Sequence, residues 1–310
     1  MNAIFFRDRR KYDLFLIDNL HVTFPIMKMF GLLGKKQKII AHLGSHTLFF
    51  MHSGKFSRLN LWLHKLTLRT YDALICEGQL AEELAKLILK EKCPPTYCTY
   101  LGPNPERSRL LRTCVPSLEG NTIVVIAAGP EKFREFYKGL DLMVSSFNLA
   151  YKTNKKLKLQ ILGNWTEEIK YGLLKEISED AARAINFAGP QSNLKAYVSY
   201  LGSASLCLHC SRGDAFPTST IETMIAGLPT IVSEWTGTKE IVAKVDNRLI
   251  VPLEINLIAQ KINWYFGLSI TERQELSDKG RTAVLKYNEP DAIEHYRSTL
   301  KKICKNLGLL

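Results

Sequence analysis

Short apolar runs alternate with longer segments of helical periodicity along almost the whole chain. Residues 103–120 interrupt this alternation with a polar segment rich in Pro, Ser and Arg. Before that segment, four runs are predicted strands: Tyr12–Ile17, Lys38–Leu43, Asp72–Glu77 and Tyr97–Leu101. Between them, three segments carry apolar residues at helical spacing: Val22–Leu33, Ser57–Tyr71 and Gln79–Leu89. Strands that alternate with helices predict a parallel sheet with helices on its faces.

A second alternation follows residue 120. Its predicted strands are Thr122–Ala127, Leu157–Leu162, Ile185–Phe187, Leu206–Cys210, Thr230–Ser233 and Leu249–Val251. We expect a loop over Gly129–Gly139 and helices in most of the other intervals, including a last one over Asp291–Leu307. With the boundary inside the polar segment, the predicted domains are residues 1–115 and 116–290, followed by a C-terminal helix at 291–310.

The stretch from Cys207 to Glu240 carries the clearest chemical pattern. A buried strand runs into a loop, and the residues Thr218–Thr220 can begin a helix that ends before Gly227. The start of a helix has unpaired backbone N–H groups and a partial positive charge, so it binds phosphate well. Asp214 lies in the loop and Glu222 eight residues later in the helix. Taken alone, Asp214 would be interpreted as a turn residue and Glu222 as a solvated helix position, but together they suit a diphosphate that carries a sugar at each end.

This stretch resembles the nucleotide-sugar site of retaining glycosyltransferases of family 4, within the glycosyl transferases group 1. The residues that carry the resemblance are Asp214-Ala215-Phe216-Pro217, Glu222 and Ala226-Gly227-Leu228-Pro229. Further matches follow in the family's order: Lys138-Gly139, Leu159–Gly163, Phe187–Gly189 and Gly237–Glu240. Asp214 is one methylene shorter than the Glu that the family usually has at this position.

The resemblance implies an α/β protein of the GT-B fold, in which two Rossmann-like domains face a cleft. It also implies that the last helix crosses back to the N-terminal domain. Family members usually have several more strands before the one that corresponds to Lys38–Leu43, so the N-terminal domain is expected to be incomplete. An incomplete sheet would leave an exposed edge unless something covers it.

The resemblance also implies roles for individual residues. Asp214 and His42 are the implied catalytic residues, His42 being similar to the family's N-terminal active-site histidine. The implied donor-binding residues are Lys138, Gly139, Gly189, Ala215, Phe216, Pro217, Thr218 and Glu222. Lys138 and the start of the helix would stabilise the leaving diphosphate, and Glu222 would bind the ribose hydroxyls. Asp214 would hold the sugar with the backbone of residues 215–217, and residues 188–191 would lie near the base; no metal or other cofactor is expected.

Several of these residues keep a second interpretation. Lys138 can also be interpreted as a solvated lysine at a helix start. His42 can be interpreted as a strand-end histidine whose ring nitrogens are satisfied by neighbouring groups. His46 is a weaker candidate for an acceptor contact. The family often has an Arg where this chain has Pro130, and Lys132 or Arg134 are the candidate substitutes.

Cysteine usage argues against a metal centre. Cys207 and Cys210 flank His209, but zinc needs four ligands, or three and a water, and no second pair completes the set. We therefore interpret these residues as small members of the core. Seven cysteines without a framework spacing indicate reduced thiols. We expect a cytoplasmic protein, with a peripheral position at the inner face of the membrane as a further hypothesis.

The formal charge of +12 is concentrated near the N-terminus. Residues 1–115 contain 18 Lys and Arg against 9 Asp and Glu, which is +9. A basic surface attracts anionic membranes, nucleic acids and phosphorylated substrates alike, but no nucleic-acid-binding signature is present. Ser57–Tyr71 is expected to pack on the sheet with its lysines in solvent. Contact of this basic segment with an anionic membrane is the alternative.

The predicted function is transfer of a hexose from a nucleotide diphosphate sugar to a saccharide or lipid-linked acceptor, with retention of the anomeric configuration. The short first domain leaves two alternatives. One is a non-catalytic nucleotide-sugar-binding or regulatory subunit that needs a partner subunit. The other is a different GT-B enzyme, such as a nucleotide-sugar epimerase, which would change its substrate without an acceptor.

Overall fold

A computed structural model describes residues 11–18, 21–44, 46–127 and 132–310. The chain divides into two compact units, the first formed by residues 1–100 with 292–310 and the second by residues 101–291. Each unit is built on its own parallel sheet. Across the described residues, no helix is both long and apolar enough to cross a membrane.

Among its described residues, the first unit has four strands in the order in which they follow along the chain, β1-β2-β3-β4, all parallel. The strands and α-helices described up to residue 99 are β1 (Leu14–Asp18), α1 (Thr23–Met29), β2 (Lys38–Leu43), α2 (Thr47–His52), α3 (Arg58–Arg69), β3 (Ala73–Glu77), α4 (Gly78–Leu89) and β4 (Thr96–Thr99). The four predicted strands and three predicted helices are confirmed within a few residues, whereas α2 was not predicted.

Asp72, just before β3, contacts both helix α1 and strand β2. Its carboxylate accepts hydrogen bonds from Lys28 Nζ at 2.6 Å and from the backbone N–H of Ile39 at 2.8 Å. Lys28 also donates to the carbonyl of Thr70, and Tyr71 donates its hydroxyl to the carbonyl of His21. Helix α1 is therefore fastened to the end of α3.

The described part of the second unit has six strands in the order β10-β9-β8-β5-β6-β7. Its strands are β5 (Thr122–Ile126), β6 (Lys158–Leu162), β7 (Ile185–Gly189), β8 (Leu206–His209), β9 (Thr230–Ser233) and β10 (Ile250–Val251). Its helices are α5 (Pro105–Arg112), α6 (Lys132–Lys138), α7 (Leu140–Thr153), α8 (Glu167–Leu174), α9 (Glu179–Arg183), α10 (Leu194–Gly202), α11 (Thr218–Ile225), α12 (Lys239–Val242), α13 (Ile255–Gly267) and α14 (Ile270–Ala283). Along the chain, β6 and β7 are added on one side of β5. The chain then returns to the other side of β5, where β8, β9 and β10 follow in turn. The point between β5 and β8 is a topological switch, where ligands bind in open parallel sheets.

The last helix, α15 (Glu289–Asn306), returns to the first unit, whose residues include 292–310. Its fully buried Ile303 packs against Ile40, Ala73 and Ile75 of the first sheet. A helix whose apolar stripe covers one face of a sheet is stabilised by the area that it removes from water.

Two segments for which no helix was predicted are helical. Asn104 caps α5, because its side chain accepts a hydrogen bond from the backbone N–H of Arg107 at 2.8 Å, and Pro105 fits the first helical position. The expected loop over Gly129–Gly139 contains α6. Helix α5 packs against α10 and α11, so the compact units divide at residues 100 and 101 rather than at 115 and 116.

Replacement of Ile303 by Ala is expected to lower the free energy of unfolding by about 3 kcal/mol, because it leaves a cavity under α15. Urea unfolding followed by circular dichroism measures the change. Ile293→Ala on the same helix is the matched control, because Ile293 is exposed and should cost less than about 0.5 kcal/mol. Equal losses in the two variants would contradict the packing of α15 on this sheet.

Candidate functional site

The loop between β8 and α11 is joined by backbone hydrogen bonds to the loop that follows β9. The backbone N–H of Asp214 donates to the carbonyl of Trp235 at 3.2 Å, and that of Gly237 donates to the carbonyl of Asp214 at 2.7 Å. A Cβ atom at Gly237 would lie 1.6 Å from the carbonyl oxygen of Ala215, so only glycine allows this approach. The two loops are thus fixed to each other before any ligand is bound.

Buried hydroxyl groups support this loop pair from behind. Ser233 donates to the carbonyl of Ser211 at 2.6 Å and lies 2.9 Å from the hydroxyl oxygen of Thr236, which also lies 3.0 Å from that of Ser211. Inside α11, the hydroxyl of Thr220 lies 2.7 Å from that of Thr238. Satisfied polar networks of this kind hold backbone in a single arrangement.

Lys138 and Asp214 meet at the switch point between β5 and β8. Lys138 ends α6, and its Nζ lies 2.6 Å from Asp214 Oδ2. Gly139, which follows, has a φ of 68° that favours glycine, and a Cβ there would lie 2.0 Å from the carbonyl oxygen of Cys210. The sequence placed Lys138, Gly139 and Asp214 in one site, and the structure brings them together.

Burial by itself would raise the pKa of Asp214. The charge of Lys138 and the imidazole of His209 more than offset this effect, so that the pKa of Asp214 lies well below its usual range. His209 Nε2 lies 3.5 Å from Asp214 Oδ2, and the imidazole is buried. The sequence assigned His209 to the core alone and missed this contact. Its position at the end of a buried strand, five residues before the loop acid, was the available signal.

The same buried position keeps the neighbouring thiols protonated. Burial raises the pKa of Cys207 to about 12, and the pKa of Cys210 is raised further by burial and by Cys207. In the described residues, no group of three or more His, Cys, Asp and Glu side chains is arranged to hold a metal ion.

Glu222 is held by residues that the sequence did not identify. Its carboxylate accepts two hydrogen bonds from Arg107, from Nε at 2.5 Å and from Nη2 at 2.9 Å, and a third from the hydroxyl of Tyr197 at 2.8 Å. The guanidinium of Arg107 also lies 4.7 Å from the centroid of the Tyr197 ring. A carboxylate has about four acceptor positions, so one position on Oε1 remains for a ligand hydroxyl.

The Asn104-Pro105 pair was the signal that could have located Arg107, because it is typical of a helix start. The same segment was interpreted as a linker, so its arginines were left out of the site. The hydrogen bond to Glu222 raises the pKa of Arg107. The pKa of Tyr197 is also raised, mostly by burial and in addition by the charge of Glu222. Arg107 is therefore a fixed cation and Tyr197 a neutral donor.

The other residues predicted to bind the donor divide into two groups. Ala215, Phe216 and Pro217 are buried, and the ring of Phe216 packs against Tyr287 with centroids 6.0 Å apart. Thr218 is half-buried at the start of α11, where the first N–H groups have no partner inside the helix. The helix thus starts at a half-buried position, whereas the side chain of Phe216 is part of the core.

The end of β7 offers an open position. Gly189 has a φ of 71°, and no atom lies within 4 Å of the place where a Cβ would stand. Gln191 donates from its side chain to the carbonyl of Ala188 at 2.8 Å, which fixes the turn after the strand. Residues 128–131, including Pro130, and the side chains of Lys132 and Arg134 lie outside the described residues.

Arg212 is a further residue that the sequence did not identify. Its guanidinium donates two hydrogen bonds to Asp141, at 2.7 and 2.6 Å, and one to the carbonyl of Phe136 at 2.6 Å. It also stacks on the Phe136 ring at 4.1 Å. Arg212 therefore fixes the segment that carries Lys138 against the segment that carries Asp214.

In the first unit, His42 lies among residues from three strand ends. Its Nε2 lies 3.2 Å from Glu77 Oε1, and its Nδ1 lies 3.6 Å from Asp18 Oδ1. The ring of Tyr296 meets the imidazole edge-on at 5.6 Å. A Cβ at Gly44 would lie 2.5 Å from the Glu77 carboxylate, so glycine leaves room for this acid. Both interpretations of His42 stay predictions, because these carboxylates lie close while its buried Nε2 has no hydrogen-bond partner among the described residues.

His46 precedes α2 and is not part of this group of strand-end residues. Its ring packs against Phe50 with centroids 4.9 Å apart. Its proposed acceptor contact stays a prediction.

Replacement of Arg107 by Met is expected to lower the free energy of unfolding by about 2 kcal/mol, because it leaves the Glu222 carboxylate buried beside a single neutral donor. Thermal and urea unfolding of the purified chain measure the loss. Arg109→Met removes an exposed guanidinium from the same helix and is the control. Losses of the same size in both variants would show that the Glu222 contact contributes nothing.

The stabilisation from Asp214 is expected to depend on pH. Because its folded-state pKa lies below the unfolded value of about 3.9, the carboxylate stabilises the fold above that pH and loses this contribution as the pH falls through the folded-state pKa. The wild-type chain should therefore exceed Asp214→Asn by about 2 kcal/mol at pH 7. The difference should begin to shrink below about pH 5 and should keep shrinking as the pH falls towards the folded-state pKa. Asp180→Asn, at an exposed position on α9, should show no such trend.

A family of known proteins matches part of the second unit. Residues 132–283, just under half of the chain, match the family described as glycosyl transferases group 1. The matched range contains Lys138, Asp214 and Glu222 but not Arg107. Among curated protein sequences, none matches this chain.

Solved structures share the fold at low identity. A sucrose-phosphate synthase from Thermosynechococcus elongatus is 17% identical, with a TM-score of 0.73 over 97% of this chain and 76% of that one. A UDP-forming trehalose-phosphate synthase from Burkholderia xenovorans, solved with glucose-6-phosphate, is 12% identical, with a TM-score of 0.67 over 93% and 72%. A trehalose-6-phosphate structure from E. coli bound with UDP-2-fluoro glucose is 12% identical, with a TM-score of 0.62 over 89% and 75%. The chain has the α/β fold with parallel sheets of the GT-B glycosyltransferases, and the part that carries the candidate site matches the glycosyl transferases group 1.

Proposed function

We propose that the chain binds a nucleotide diphosphate sugar on its second unit and transfers the sugar to an acceptor hydroxyl with retention at the anomeric carbon. The bond from the anomeric carbon to the diphosphate oxygen breaks, a bond to the acceptor oxygen forms, and the acceptor proton leaves. The family match over residues 132–283 supports glycosyl transfer as the reaction class. Retention is taken from the resemblance to family 4.

The observation that carries the proposal is the position of the Lys138–Asp214 pair. It joins the segments that follow β5 and β8, which are the two strands at the topological switch of the sheet. The start of α11 lies four residues after Asp214. A cation, a helix start and a carboxylate are thus gathered where the fold leaves room for a ligand.

The leaving diphosphate gains negative charge as its bond to the sugar breaks. We assign its stabilisation to Lys138 and to the N–H groups that begin α11, because fixed charges and dipoles need no rearrangement during the reaction. In the absence of donor, Lys138 is paired with Asp214. When the donor binds, we expect its phosphate to share the Lys138 ammonium with the Asp214 carboxylate. No step is assigned to a metal ion or another cofactor.

The donor sugar is assigned to Asp214. Its low pKa keeps it an acceptor-only carboxylate at neutral pH, which suits sugar hydroxyls, and the buried His209 imidazole lies 3.5 Å from it. We assign the ribose to the remaining acceptor position of Glu222. Arg107 and Tyr197 then act as positioning residues, because they orient that carboxylate.

His42 is proposed as the catalytic contribution of the first unit. The carboxylates of Asp18 and Glu77 lie 3.6 and 3.2 Å from its two nitrogens, within the same unit. The acceptor is proposed to be a saccharide or a lipid-linked saccharide. The similar structures solved with UDP-2-fluoro glucose and glucose-6-phosphate add a UDP-sugar and a sugar phosphate to the substrates to be tested.

Replacement of Lys138 by Met is expected to lower kcat about 100-fold, since it removes one fixed cation from the leaving group. The purified chain is incubated with UDP-, GDP- and ADP-sugars and with saccharide, lipid-linked and sugar-phosphate acceptors, and the released nucleoside diphosphate is measured. Lys152→Met, at an exposed position on α7, is the charge-matched control.

Release that depends on an acceptor and on Lys138 supports the transferase. Conversion of the sugar without an acceptor would instead identify an epimerase. If no nucleotide sugar binds in a calorimetric titration, the proposal is wrong at its first step.

A donor-binding subunit that needs a partner is the second candidate, and the first sheet favours it. Within the described chain, β1 pairs only with β2, so its other edge has no strand beside it. A partner strand could complete the sheet at this edge. Donor binding without any release of nucleoside diphosphate would select this candidate.

A further inference from the structure

Helix α3 turns an apolar stripe away from the unit to which it belongs. At 3.6 residues per turn, Leu59, Trp62, Leu63 and Leu66 lie on one side of the helix. Leu59 is 64% exposed, Trp62 58% and Leu63 43%. The opposite side packs inward, where Leu68 is fully buried. The expectation that this helix would bury its apolar side against the sheet is therefore wrong for the stripe that contains Trp62.

The neighbouring helix adds to this surface. Helix α1 contacts α3 and is fastened to it by Lys28 and Tyr71. It ends in Met29 and Phe30, which are 48% and 75% exposed. We call the exposed apolar residues of α1 and α3, with Phe30, the α1–α3 surface. Exposed large apolar groups on adjacent helices mark a surface that contacts something other than water.

The charge of this region is one-sided. From residue 21 to residue 71 the chain contains no Asp or Glu, but eight Lys and Arg. Lys28 and Lys38 are paired with Asp72. In the part of the chain that the structure describes, no carboxylate pairs with Lys35, Lys36, Arg58, Lys65 or Arg69. These five cations are thus available to an anionic partner.

We propose that the α1–α3 surface binds an anionic lipid bilayer, with the apolar stripe of α3 lying in the interface and the basic residues beside the lipid headgroups. Amphipathic helices with Trp and Leu on one side and Lys and Arg beside them bind in this way. Tryptophan in particular favours the boundary between headgroups and acyl chains. This surface belongs to the first unit and does not depend on the proposed transferase reaction.

Charge and chemistry favour a bilayer over two other occupants. A second copy of the chain would bring the same basic surface against itself, because symmetric interfaces are self-complementary, and like charges would oppose the contact. A nucleic acid would use the cations and stack on Trp62, but the aliphatic side chains of Leu59 and Leu63 would gain nothing from it. A lipid bilayer uses both kinds of residue.

Vesicle flotation of the full chain tests the proposal. Vesicles of phosphatidylcholine alone are compared with vesicles that contain phosphatidylglycerol, at low and at high salt. We expect binding to the anionic vesicles only, and weaker binding at high salt, where the Debye length falls to about 3 Å at 1 M. Equal binding to both vesicle types, or binding to neither, would overturn the proposal.

Two sets of substitutions separate the apolar and the charge contributions. Leu59→Ser, Trp62→Ser and Leu63→Ser together should weaken binding at least about tenfold. Arg58→Gln, Lys65→Gln and Arg69→Gln together should weaken it about 100-fold, at roughly fivefold per cation. The matched controls are Leu87→Ser, exposed on α4, and a triple Gln variant of the exposed Lys152, Lys156 and Lys244. Controls that lose binding as strongly would overturn the assignment to this surface.

Circular dichroism confirms that each variant is folded. Sedimentation velocity without lipid and binding to a short single-stranded RNA test the other occupants. A dimer that the Ser variant abolishes, in a chain that ignores vesicles, would replace the proposal with self-association. RNA binding that falls in the Gln variant but not in the Ser variant, again without vesicle binding, would replace it with a nucleic-acid surface.

Discussion

The ion pair between Lys138 and Asp214 is the interaction on which the candidate site depends. It joins the segments that leave β5 and β8, where the strand order of the second sheet reverses. Burying the Asp214 carboxylate is costly, and the contact is tolerated because Lys138 and His209 offset that cost. The same contact puts a cation and an anion at the start of α11. The proposed donor site thus rests on a charge pair that also connects two parts of the sheet.

The surrounding structure is arranged to keep this pair in place. Gly139 and Gly237 allow backbone approaches that any side chain would block. Arg212 clamps the segment that carries Lys138. Arg107 holds Glu222 in the same way, through two parallel hydrogen bonds. Groups held by fixed partners lose little entropy when a ligand binds, which is the physical content of preorganisation.

The first unit presents chemistry of a different kind. Its strand ends place His42 between two carboxylates, while its helices α1 and α3 carry exposed apolar residues in a region without acids. The interior of this unit is covered by α15, whose Ile303 packs on the sheet. The apolar stripe of α3 is therefore not part of the core of the unit. Its exposure to water is unfavourable, which indicates that this surface binds a partner.

The sequence by itself determined the alternation of strands and helices and the parallel sheets, because these follow from local periodicity. It also supplied the ordered short motifs from which Lys138, Asp214 and Glu222 were predicted to form one donor site, and the structure pairs the first two of these. The sequence could not find Arg107, which lies 115 residues before Glu222, or the contact of His209 with Asp214. It also assigned the apolar side of α3 to the core. Periodicity shows that a helix has two sides, but only the tertiary structure decides which side meets the sheet, since that depends on what the rest of the chain already covers.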